Sequence, residues 1–302
     1  MSIINRSNIP VLLRPGQYAV FEDYNIFPQW WHDVFTRHRS DKAVEYETQI
    51  QSLGLAQLKL AGAPIAMGTM GQAYTSSYVM QYYGIGFQIT RAAIMDNLYQ
   101  KEFPLANMAM RNSLDTLKNI NAAYLFNQAF NTSVPLADGQ PLASLVHPTG
   151  NGATLANRFG GVVDLSEAAV EDAISIIKGW TNVAGLPINM MPQCVLTSQN
   201  LAFTAARIFK SQYRTNTPNN DINAIYHDKY MPRGYMISQF ITSPDNWFIL
   251  TDEPNGFKYF LREPLEIDYI TDVTTQTLTN VALERYAFGC SNWRAAFCAQ
   301  GG

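Results

Sequence analysis

The chain has 302 residues, 47% of them hydrophobic and 15% charged, with a formal net charge of −3 and a pI near 5.8. So large an apolar fraction excludes global disorder. An acidic balance, with no basic run longer than "RHR" at 37–39, speaks against a protein that grips nucleic acid by neutralising phosphates.

An ordinary soluble domain carries roughly 25% charged residues. Here the missing charge is replaced by amides, 23 Asn and 17 Gln, and aromatics reach 12%. A surface poor in Lys and Glu but rich in Tyr, Phe and Asn resembles an interface, so the composition points to a protein packed against copies of itself. Three cysteines, Cys194, Cys290 and Cys298, are too few and too scattered for a disulfide framework. The opening stretch "MSIINRSNIPVLLRPGQYAVFEDY" lacks the apolar core of a signal peptide. Nothing approaches a transmembrane run of about 18 apolar residues.

Residues 1–45 read as an arm. Pro10, Pro15, Gly16 and Pro28 break it, while Val11, Leu12, Leu13, Phe21, Phe27, Trp30 and Trp31 supply isolated apolar anchors that need something to lie on. Residues 46–91 read as a long hairpin. "EYETQIQSLGLAQLKL" goes out, "YVMQYYGIGFQITRA" returns, and the turn region "AGAPIAMGTMGQAYTSS" is loaded with Gly and Pro. Its Pro64, Met67, Met70 and Tyr74 have no visible core of their own, which makes them candidates for contact with an adjacent subunit.

From Ala92 to Asn131 the period becomes helical, with Ile94, Leu98, Leu105, Met108, Met110, Leu114, Leu117, Ile120 and Tyr124 at spacings of three or four. A helix of that length would span on the order of 50–60 Å, with a kink or break at Pro104, and would cross an extended, flattened molecule. A connector rich in Gly, Pro and Asn completes this part, 92–161.

Residues 162–242 read as a small α/β unit. "DLSE" at 164–167 is a capping-box pattern before Val170, Ile174 and Ile177, "QCVLT" is a buried strand, and Ser198 caps a helix with Leu201, Ala205 and Ile208. Within this unit, 211–235 is predicted to be an exposed loop. The tail, 243–302, continues the short runs begun by "YMISQFIT": "NWFILTD", "GFKYFLRE", "LEIDYITD" and "LTNVALERYAF", for which antiparallel pairing is the simplest reading.

Signatures of catalysis fail. "GIGFQI" at 84–89 lacks the third glycine of a dinucleotide loop, and there is no GxxxxGK[ST], GxSxG or HExxH. His32, His38 and the cysteines lack zinc spacing. Glu263, Glu266 and Asp268 fall on a strand face predicted to be solvated. No catalytic residue, cofactor or metal is expected.

The segment "RYAFGCSNWRAAF" at 285–297 is unusual for a chain end, which is normally frayed. Its Arg285, Tyr286, Trp293 and Arg294 resemble the aromatic last-strand pattern of tailed-phage major capsid proteins of the HK97-like fold. "PQCVLTSQNLAFTAARIFKS" (192–211) is similar to the strand and helix of their axial domain. The resemblance implies an α+β protomer with a long spine helix, an extended hairpin (E-loop), an antiparallel peripheral sheet and a small α/β axial domain. It further implies a virion shell protein, assembled in the host cytoplasm into pentamers and hexamers around double-stranded DNA. Implied partners are further copies of the chain, a portal, a scaffolding protein that is separate because no fused scaffold region is visible, and a decoration protein. In this light Arg285, Trp293 and Arg294 become anchoring candidates, with Trp293 expected beneath the spine helix and Arg294 held by a carboxylate or by carbonyls. An encapsulin-type compartment and an oligomeric enzyme are the alternatives.

Overall fold

The computed structural model describes residues 3–4, 28–51, 53–62, 64–68, 70–95, 102–149, 152–213, 221–272 and 274–302. The arm anchors expected between Val11 and Phe27, the helix residue Leu98 and the centre of the 211–235 loop lie outside them.

In chain order, β1 (Ile3–Ile4) precedes a 3-10 turn at Trp30–Asp33, then β2 (Thr36–Arg39), β3 (Val44–Ile50), β4 (Gln72–Val79) and β5 (Gln81–Thr90). Two helices follow, α1 (Arg91–Met95) and α2 (Glu102–Asn127). A connector carrying β6 (His147–Pro148) and β7 (Thr154–Leu155) leads to α3 (Glu167–Lys178), β8 (Pro192–Thr197), α4 (Ala202–Lys210), α5 (Ala224–His227) and β9 (Tyr235–Ile237). The last strands are β10 (Trp247–Thr251), β11 (Phe257–Asp272), β12 (Thr277–Cys290) and β13 (Ala296–Ala299).

Two sheets organise these elements. The first has the order β1-β5-β12-β11-β2, antiparallel in its middle and parallel at both edges. The second has the order β13-β10-β8-β9, with β8 and β9 parallel. The tail is therefore mixed, not wholly antiparallel. Helix α2 lies on the first sheet against β12 and β5. The second sheet is covered on both faces, and β10 shows why its sequence has no polar alternation. Phe248 and Leu250 enter a core shared with Trp31, Phe126, Phe257 and Tyr286, while Trp247 and Ile249 enter a second core with Val170, Ile177 and Phe297.

Several expectations change. The return strand of the hairpin is Gln72–Val79, facing β3 from Val44↔Val79 to Ile50↔Gln72, and the chain after Met80 leaves the hairpin to become β5. Helix α2 has 26 residues, or about 39 Å at 1.5 Å per residue. Pro104 falls in its first turn, where backbone N–H groups have no intrahelical partner anyway. Its buried side is Met110, Leu114, Ala122, Ala123 and Phe126, whereas Met108, Ile120 and Tyr124 are exposed.

The two runs "GFKYFLRE" and "LEIDYITD" form one strand, with register shifts on either side of Glu263 that accommodate Pro264 as a bulge instead of a break. The glycines of "GIGFQI" serve close strand approach. A Cβ on Gly86 would meet the Asn280 carbonyl oxygen of β12 at 2.8 Å. Ser166 caps α3 by accepting from the Ala169 N–H at 3.2 Å. Ser198 makes no side-chain cap; its hydroxyl donates to the Pro244 carbonyl. Residues 221–235 are mostly exposed, as expected of that loop, but carry the short helix α5 and are tied down by buried Asn223, Ile225 and Met231.

Candidate assembly interface

The terminal segment joins the two sheets. Residues up to Cys290 belong to β12, at the centre of the first sheet, and Ala296–Ala299 form the edge strand of the second. Between them, Asn292 caps a 3-10 turn at Trp293–Ala295 by accepting from the Arg294 N–H at 3.1 Å. Trp293 is 5% exposed. It lies in the second core, not beneath α2: its indole stacks on His147 at 4.4 Å and 5°, and meets Trp180 edge-on at 5.2 Å. The segment looked like an anchor because it is the covalent seam between two cores.

Arg294, also 5% exposed, stacks over the Trp293 ring at 4.3 Å and donates from Nη2 to the Thr181 carbonyl at 2.8 Å. No carboxylate among the described residues forms an ion pair with it. Arg285 lies over the Tyr82 ring at 4.2 Å, donates to the Tyr82 hydroxyl at 2.9 Å, and has Glu263 at 3.8 Å. Both arginines thus hold elements of their own chain.

Sequence reasoning missed the polar node behind Trp293. His147 Nδ1 meets the Asp138 carboxylate at 2.6 Å and Nε2 meets Asn157 Oδ1 at 3.1 Å. The Asn157 amide nitrogen donates to the carbonyls of Leu142 at 2.6 Å and Ala296 at 3.0 Å. A histidine before a proline in a Gly/Asn-rich connector reads as a loop residue, and only the absence of solvent around it reveals its role. Also missed was Lys118, which reaches from α2 to the buried Glu284 of β12 at 2.7 Å and to Asp115 at 3.2 Å. Burial pushes the Glu284 carboxyl up, opposed by the Lys118 hydrogen bond.

Trp30 and Trp31 are buried within the chain. Trp30 meets Phe126 at 6.0 Å, and Trp31 meets Tyr259 at 4.6 Å and Phe288 at 5.3 Å. They hold the chain before β2 against the first sheet and α2.

The hairpin is different. Its root is fixed on the sheet face opposite α2, where Tyr78 and Met80 pack on Phe260 and Ala287. Lys258 donates to both oxygens of Glu47 at 2.6 and 2.7 Å, and the Ser291 hydroxyl donates to Glu47 at 2.5 Å. Among the described residues the ladder ends with the Gln51 N–H to Gly71 carbonyl bond, at 2.8 Å. The tip carries Leu55, Leu60, Ile65 and Met70 exposed, with Leu58 at 90% and Met67 at 91%. Pro64 is exposed as well, and Tyr74, on β4, is half-buried.

Burial pushes the thiols of Cys194, to about 11, and Cys290, to about 12, above their usual range, so neither supplies a thiolate. Among the described residues no cluster of His, Cys, Asp or Glu could hold a metal, and no helix is long and apolar enough to cross a membrane.

A family model described as phage capsid protein matches residues 73–299. The chain belongs to the phage capsid protein family. Solved structures agree at the level of the fold. A chain from the capsid structure of the cyanophage P-SCSP1u superposes with a TM-score of 0.61 at 10% identity, covering 96% of this capsid protein and 92% of that chain. A chain of Mycobacterium phage Adephagia gives 0.58 at 13% identity, covering 100% and 99%. A chain from the capsid of an empty GTA particle gives 0.55 at 14% identity, also covering 100% and 99%. No curated protein matches the sequence. The capsid protein is therefore a structural shell component of a phage virion, with the mixed α+β fold of these capsids.

Proposed function

We propose that this capsid protein is the major head protein, self-assembling into the pentamers and hexamers of an icosahedral shell that encloses double-stranded DNA. The observation that supports this reading most directly is the hairpin tip, whose leucines and methionines stand clear of their own chain. A contiguous apolar strip left in water marks an interaction site. A head-to-tail contact, in which each tip lies on the next subunit, covers it, and such contacts close into rings.

In this reading β3, β4 and their tip are the extended hairpin, or E-loop, and α2 is the spine helix. The sheet of β5, β12 and β11 is the peripheral domain, and the second sheet with α3 and α4 is the axial domain. A portal completes the particle, which is assembled in the host cytoplasm, and any scaffolding or decoration protein acts on the shell these copies build. No catalytic step is required of the chain.

Negative-stain microscopy of the purified protein tests this. Closed shells are expected. A small discrete oligomer under every assembly condition would overturn the reading, and particles from infected cells filled with protein cargo instead of DNA would point to a storage compartment.

A further inference from the structure

A cleft of about 550 Å³ lies between the edge strand β2, the Trp30–Asp33 turn and the middle of α2. Its charge runs against that of the chain. Arg37, Arg39, Arg111 and Lys118 line it, and Asp115 is the one acidic lining residue among the described residues, in a protein of net charge −3.

That acid is already shared between Lys118 at 3.2 Å and Arg111 at 3.9 Å. Lys118 is further neutralised by Glu284. Against these four cations the two carboxylates leave two positive charges in excess among the described residues. Arg37 and Arg39 have no carboxylate partner among the described residues, and Arg37 lies over the Trp31 ring at 5.1 Å. They pair in register with Tyr259 and Leu261 of β11, whose side chains form the cleft floor, so both project into the cleft. Two residues along a strand are about 6.6 Å apart, comparable to the separation of adjacent phosphates on one nucleic-acid strand. The positive potential also registers on His32, whose imidazole is held below its usual range by burial and then by Arg37.

We infer that this cleft binds the phosphodiester backbone of DNA, without base recognition, through Arg37, Arg39 and Arg111. Guanidinium forks suit phosphate oxygens, and among the described residues the cleft lining offers no acid beyond Asp115 to repel them. The inference rests on the shell reading for its source of DNA, and it makes this face the lumenal one. It also localises a weak grip on the genome within a wall that is otherwise acidic.

The test uses the full chain and a fluorescein-labelled duplex of arbitrary sequence, followed by anisotropy between about 50 and 200 mM salt. Three neutralised phosphates give a slope of log affinity against log salt of about −2.7. The variant Arg37→Gln/Arg39→Gln/Arg111→Gln should lose about tenfold or more in affinity at low salt and flatten that slope. Arg207→Gln, on the exposed side of α4, should change neither, which separates the site from general charge. An unchanged slope in the triple variant, with its melting temperature retained, would overturn the inference. So would tighter binding of polyglutamate than of DNA, which would assign the cleft to an acidic protein segment. Microscopy of the same preparations keeps the two readings apart. The duplex is added to the unassembled protein, whose cleft is open to solvent: no salt-dependent binding there, with shells still forming on assembly, defeats this inference alone, and binding without shells defeats the shell reading.

Discussion

The His147 imidazole lies flat on the Trp293 indole, 4.4 Å between centroids and 5° from parallel. This contact closes the seam between the sheets, because His147 is tied to the connector through Asp138 and Asn157 while Trp293 is tied to β13. Truncating a buried large aromatic costs about 3–5 kcal/mol. A domain with about 5–15 kcal/mol of total stability retains little after that. Trp293→Ala should therefore be insoluble or strongly destabilised as a protomer, read by its soluble fraction and melting temperature. A soluble variant with wild-type melting temperature would show that the stack is not the seam.

Arg294→Lys separates geometry from charge. Lysine keeps the charge but loses the planar face over Trp293 and the fork that reaches the Thr181 carbonyl. The expected cost is about 1–3 kcal/mol, as for a buried donor or acceptor left unsatisfied. Chemical denaturation of the unassembled protomer measures it, and a change below about 0.5 kcal/mol, the usual range for surface substitutions, would place Arg294 among them.

How far these features were legible depends on whether a residue's role is local. The α3 cap at Ser166, the buried β8 and the helical period of α2 all follow from neighbours within a few positions. The face of α2 that is buried does not. Leu114 is covered as the period implies, but the stripe veers to Ala122, Ala123 and Phe126 because the sheet opposite presents Glu284 and Tyr286, which call for Lys118 and Asn121. Pro264 looked like a strand end and is a bulge, since β12 continues to pair past it. Trp30 and Trp31 looked like anchors for another surface because their partners, Phe126, Tyr259 and Phe288, lie about 100 residues or more away in sequence. Of the candidate site, the apolar tip was readable from composition alone. The His147 node was not, because nothing near it in sequence signals burial.

The far end of the β11–β12 ladder should respond to acid. The Asp272 carboxylate accepts from the Thr274 hydroxyl at 2.5 Å and the Thr274 N–H at 2.9 Å, bonds that with Thr275 hold its pKa down to about 2. A carboxyl whose folded pKa is depressed stabilises above its ordinary value, about 3.9, and that contribution is lost as pH falls through the folded value. Amide exchange at 274–277 should accelerate between about pH 4 and pH 2 after correction for intrinsic rates. Asp272→Asn should abolish the acceleration; its persistence in that variant would assign it elsewhere.

The hairpin root depends on the Lys258–Glu47 pair. Removing one member leaves the other charge in a partly buried site, which costs about 3–5 kcal/mol for a fully buried pair and less here because Glu47 is partly exposed. Lys258→Met should destabilise the protomer, and Lys258→Met/Glu47→Gln should recover part of the loss. Recovery of stability without recovery of assembly is expected, because the angle at which the tip leaves the sheet is set by this pair and Ser291. Equal assembly of the double variant and the wild type would remove that role.

Deletion of residues 62–76, followed by negative-stain microscopy beside the wild type, tests the central claim most directly. Those residues include Ile65, Met67 and Met70 at the exposed tip, and also Gln72–Ser76 of β4, of which Ser76 faces the root residue Glu47. The account predicts closed shells from the wild type and, from the deletion, a folded protomer with near wild-type circular dichroism that builds no stable shell. Normal closed shells from the deletion would contradict the claim that the tip joins one subunit to the next.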